Sequence, residues 1–171
     1  MKSTAEHVAN VLAVAIWADG EYDETERTAV REIAESMGYS TMIFEKMIEG
    51  GVGGMLKSDE DSVNNILQKS AKAIVDSEKG QVYEAAIEIV LSNSVIAYDE
   101  IDRLLAVAGA LDINMEDAVE LIVDMVNPDV DAEDDIIATI EATAGDFDKL
   151  VEGVIDLCEK VHDPETFAIE R

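Results

Sequence analysis

Cysteine occurs once in this 171-residue chain, at Cys158, so no intrachain disulfide can staple it and a reducing compartment suits it. Basic residues are scarce: 12 lysines and arginines face 39 aspartates and glutamates, for a formal net charge of -27. Such a surface repels a nucleic acid duplex or an anionic membrane and attracts cations and basic proteins. No stretch approaches the ~20 consecutive apolar residues of a membrane span. A signal-peptide reading of residues 8–17 after Lys2 fails, because Glu6, His7 and Asn10 interrupt it and its apolar residues recur at helical spacing. The expectation is a cytoplasmic protein. Histidine stands only at His7 and His162, isolated from each other, and no Ser/His/Asp or Cys/His triad can be argued. The chain is therefore read as no enzyme.

Apolar residues make up 48% of the chain, which argues for a folded core despite the charge. Their spacing is helical throughout. Val8, Val11, Leu12, Ala15 and Ile16 share one helix face, with a capping-box pattern at Ser3 and Glu6. Asp23 with Glu26 has the same pattern, ahead of a stripe of Val30, Ile33, Ala34 and Met37 that Gly38 closes. Ser40 caps a third helix through Phe44 and Ile48. Residues 50–54, GGVGG, read as a loop, Ser58 as the start of a fourth helix, and Gly80 as a break before a fifth. Later helices are expected from about 99–111, 115–126, 132–143 and 147–161, the third opened by Asp131, Glu133, Asp134 and Asp135. No alternating strand pattern persists. The fold class that follows is all-α, a bundle of eight or nine short helices.

The chain also repeats. At an offset of 74 residues, 18–49 overlies 92–123 without a gap, placing Glu26 on Glu100, Val30 on Leu104, Ile33 on Val107 and Met37 on Leu111. Break, cap and helix recur in the same order, as two pseudo-repeated helix-loop-helix units would require.

Five carboxylates crowd the eight residues from Asp19 to Glu26 at the first helix joint. Asp23, Glu24 and Glu26 suit the first turn of a helix, where acids complement the dipole. Asp19 closes the preceding helix, where the dipole disfavours an acid, and Glu21 lies between the two. Two carboxylates about 5 Å apart repel by roughly 1 kcal/mol in water, and a bound cation would reverse that penalty. Oxygen ligands alone favour calcium, magnesium or manganese over zinc. An EF-hand is excluded, because Glu24 stands where its glycine is required; Asp134 does the same in the run Asp129, Asp131, Glu133. The stretch GGVGGMLKS lacks the glycine a phosphate loop needs before Lys57 and follows a helix instead of a strand.

An alanine-rich helix ending in Ala18-Asp19-Gly20, an acidic turn, Glu26 seven residues after Asp19 and the later Met37-Gly38-Tyr39 break resemble the tellurite-resistance TerB-like family. The resemblance spans residues 4–126 and is sharpest over 12–39. It implies a small all-α protein of bacterial stress response or tellurite resistance that binds divalent cations and has no established catalytic activity. Carried over, the family's acids fall on Asp19 and Glu26, with Glu100 alone in the second copy, where Asn93-Ser94 replaces the Asp-Gly pair. Asp23 and Glu21 could complete the metal ligands. The implied organisation is a TerB-like domain over 1–126, with acidic helices over 127–171 packed on the same domain.

A rival reading needs no metal. Residues 112–171 hold 19 acids and 3 bases, and would dock a basic protein partner or mimic nucleic-acid charge before a DNA-binding protein. Neither reading involves direct nucleic-acid binding or membrane insertion. Cys158 shares a helix face with Leu150, Val151, Val154 and Val161 and is read, like Trp17 and the methionines, as core.

Overall fold

With the exception of Asn10, every residue from Val8 to Ile16 is buried, so α1 (Thr4–Trp17) is enclosed on all sides instead of presenting one apolar face. The computed structural model describes residues 4–17 and 22–170, and its contacts divide the chain into two units, residues 1–93 and 94–171. In unit 1, α1 packs against α3 (Thr41–Met55), α4 (Glu60–Ala73) and α5 (Asp76–Leu91), while α2 (Glu24–Met37) lies on α3 and α5. Asn10 is the polar exception because its amide donates to Ser70 Oγ on α4 at 3.1 Å.

The glycine run is helical, not a loop. Gly50, Gly51, Gly53 and Gly54 all lie inside α3, whose Val52 and Met55 are buried. A methyl group at Gly51 would come within 3.1 Å of Ala13 Cβ, so this glycine is what lets α3 approach α1 so closely. Packing on one side has overridden the helix-breaking preference of the run. Gly80 likewise falls within α5, and α4 is capped by Asp59, not Ser58.

Unit 2 contains β1 (Val95–Ala97), α6 (Tyr98–Ala110), α7 (Met115–Val126), α8 (Glu133–Ala142), α9 (Phe147–Val161) and β2 (Ala168–Glu170). Helix α9 packs on α6, α7 and α8. The two strands pair in parallel, Ile96 opposite Ile169, a feature too short for alternation to reveal. Asn127 Nδ2 donates to the Val161 carbonyl at 2.9 Å, joining the ends of α7 and α9. Helix α8 opens on the acids Glu133, Asp134 and Asp135 behind Ala132, which makes no side-chain cap; Asp131 stands one residue earlier, its carboxylate accepting from the Glu133 amide at 3.1 Å in a local turn.

Among the described residues the all-α expectation holds, with nine helices and this two-stranded sheet. Ile16, Ile33, Val90 and Val107 are 0, 3, 4 and 0% exposed, as their helical spacing requires. The repeat is also visible in the helix boundaries. Helix α2 starts at Glu24 and α6 at Tyr98, α3 at Thr41 and α7 at Met115, each pair 74 apart. Gly38 closes α2 at φ 78°, and its counterpart Asp112 stands beyond α6 at φ 59°. Tyr39 N donates to Ala34 O at 2.8 Å and Ile113 N to Ala108 O at 2.9 Å, the same turn in both copies.

Candidate functional site

The described acids of the joint are engaged locally. Asp23 caps α2: its Oδ1 accepts the Glu26 amide at 3.0 Å and the Thr25 hydroxyl at 2.7 Å. Glu26 Oε1 in turn accepts the Asp23 amide at 3.1 Å, completing the capping box read from the sequence. The Thr25 hydroxyl and then the Glu26 amide hold the Asp23 carboxyl below the usual carboxylate range. Glu26 is only 3% exposed. Asp19 and Glu21 lie outside the described residues. Glu100, the counterpart of Glu26 in unit 2, is also buried, in the first turn of α6. Among the described residues no three His, Cys, Asp or Glu side chains converge on a point that could hold a metal ion.

Glu24 belongs instead to an ionic face across α2 and α3. Arg31 forks onto Glu45 with both nitrogen–oxygen distances 3.1 Å and reaches Glu24 at 3.2 Å. Arg27 pairs with Glu49 at 3.3 Å, lies 3.6 Å from Glu45, and stacks over the Tyr22 ring at 4.2 Å. Burial, followed by the Glu45 charge, pushes the Tyr22 phenol up to about 12.

The second copy replaces this face with hydrocarbon. Tyr22, Arg27, Arg31, Glu45 and Glu49 correspond to Ile96, Ile101, Leu105, Val119 and Val123, which are 0–1% exposed. The reason lies in what covers each helix pair. Arg31 and Glu49 meet solvent, whereas α6 and α7 carry α9 over them. An uncovered face keeps its charges hydrated; a covered one must be apolar or pay desolvation.

That cover leaves an opening. Leu105 on α6, Met115 on α7, Ile140 on α8 and Phe147 and Leu150 on α9 line a cleft of about 520 Å³, together with Gly145 and Asp146 of the turn between α8 and α9. Phe147, the first residue of α9, remains 43% exposed there. Sequence reasoning missed the cleft; its one local signal was an aromatic placed immediately after a helix break, ahead of the buried stripe that begins at Leu150.

Two further groups bear on chemistry. Glu88 on α5 and Glu32 on α2 line a second depression of about 400 Å³ with Thr25, Thr28 and Ser92. Burial, and then the Glu32 charge, raise the Glu88 carboxyl above its ordinary value. Cys158 is fully buried and its thiol is pushed up to about 12 by desolvation, which suits packing and not nucleophilic work. Met55 is core as expected, but Met42 and Met125 are exposed.

No helix among the described residues is long and apolar enough to cross a membrane. Comparison with protein-family models, with curated proteins and with solved structures finds no match to this chain.

Proposed function

We propose that this chain is a non-enzymatic interaction protein that binds a basic protein partner through the acidic surface of unit 2. The observation that carries this reading is the charge balance of residues 94–171, which hold 22 acids against 4 bases, a net of -18. Lys149 and Lys160 are paired with Asp146 and Asp135, which neutralises only a small part of that charge. The remainder is self-repulsion that a basic partner would relieve. Hydrogen–deuterium exchange of the full chain tests this. A 20-residue Lys/Ala helical peptide, at about 150 mM salt where exposed charges more than ~8 Å apart are screened, should slow exchange within 94–171. Protection confined to residues 4–93, or none at all, would refute it.

A second reading, the TerB-like one, places a divalent cation, calcium, magnesium or manganese before zinc, at the joint of α1 and α2. What favours it is the buried Glu26 carboxylate, seven residues after Asp19 in the chain. A role in bacterial stress or tellurite resistance belongs with this reading. Its test is a paired substitution of Asp19 and Glu26, argued below.

A further inference from the structure

We infer that the α6–α7–α8–α9 cleft of unit 2 receives the apolar face of a basic amphipathic helix from the partner, an inference that rests on the acidic docking role proposed above. The cleft has the volume of a ligand pocket, and its lining of Leu105, Met115, Ile140, Phe147 and Leu150 is almost wholly hydrocarbon. Phe147 leaves 43% of its surface in water at the start of α9. An aromatic held that open beside an apolar depression is a binding feature more than a packing one.

The occupant's charge follows from what surrounds the cleft in the chain. Asp146 itself lines the cleft, and Asp112, Glu116, Glu141 and Asp148, close in the chain to the lining residues Met115, Ile140 and Phe147, are exposed on the same unit. Lys149, in the first turn of α9, lies 4.0 Å from Asp146. A second copy of this chain would bring -27 against -27, and fatty acids and nucleic acids are anionic as well. A segment with large apolar residues at i and i+4 and lysines or arginines on its flanks satisfies both the apolar lining and the acidic surface of the unit. Long, flexible Met115 lets the floor adapt to the anchor it receives.

Two labelled 20-residue peptides of equal length and charge separate this inference from the reading beneath it. One is a lysine-rich helix carrying Phe and Leu at i and i+4; the other has alanine at both positions. Titrated by fluorescence anisotropy into the full chain at about 150 mM salt, the first should bind at least about tenfold more tightly. Phe147→Ala and Met115→Ala should each weaken the first peptide by about fivefold or more and leave the second unchanged, with circular dichroism confirming the helical fold. Equal affinities for the two peptides, or indifference of the first to both substitutions, would overturn the cleft as the site while leaving acidic docking intact. Absence of binding by either peptide would overturn both. Occupation of the cleft by an uncharged alkyl probe such as decanol, undisturbed by the first peptide, would also overturn the inference.

Discussion

Arg31 and Leu105 hold the same place in a repeated helix pair, 74 residues apart, and have opposite chemistry: Arg31 forks onto Glu45 at 3.1 Å, and Leu105 is fully buried. One position thus reports whether its helix pair is covered. Introducing the charge into the covered copy should be severe, since an unpaired buried cation costs about 3–5 kcal/mol. Leu105→Arg should therefore unfold or strongly destabilise unit 2. The reverse change, Arg31→Leu, removes only solvent-exposed ion pairs and should cost far less. Urea denaturation of both variants checks this; equal losses would show that cover does not decide the chemistry of the face.

Four glycines in α3 differ in what surrounds them. Gly50, Gly53 and Gly54 have open space where a methyl group would stand, whereas at Gly51 it would meet Ala13 at 3.1 Å. Alanine at each open position should stabilise by about 0.5–1 kcal/mol. Gly51→Ala should gain nothing or lose stability, because α1 and α3 must part by a few tenths of an ångström. The midpoints of denaturant unfolding will rank the four variants.

Glu88 makes stability depend on pH in a defined direction. Its carboxyl is raised in the folded state, first by burial and then by Glu32, so the native protein holds that proton more firmly than the unfolded chain does. The contribution is fully present below the ordinary carboxyl range and is lost as pH rises through the raised value. Glu88→Gln should thus be more stable than wild type at neutral pH, by less than about 1 kcal/mol after solvent screening. The difference should shrink toward about pH 4, where carboxylates gain protons. Thermal midpoints between those limits measure it, and a gain that grows on acidification would contradict the assignment.

At the joint, the capping box and the proposed cation make separable demands. Asp23→Ala removes the cap and should cost about 0.5–2 kcal/mol with or without divalent ions. Asp19→Asn with Glu26→Gln preserves the shape and an oxygen acceptor at each position but removes two charges. Calorimetric titration in moderate salt should show that this pair binds calcium, magnesium or manganese more weakly than wild type. Wild type alone should gain thermal stability, by roughly 2.7 kcal/mol at a hundred times the dissociation constant. Equal affinities and equal thermal shifts would show that these carboxylates do not hold the ion.

Local chemistry was enough to read the capping box of Asp23 and Glu26, the acidic opening of α8 and the limits of α7 and α9, because caps, first-turn acids and 3.6-residue spacing act within a few neighbours. The 74-residue repeat was legible for the same reason, since its two copies share their breaks and caps. Three features were decided only by tertiary contact. The glycine run became helix because α1 needed a close neighbour at Gly51. Strand β1 formed because Ile96 found Ile169, 73 residues away along the chain. The ionic and apolar faces parted company because α9 covers one copy of a helix pair and the ionic face of the other stays in water. Periodicity marks which residues share a face, but cover by a distant helix decides whether that face can afford a charge.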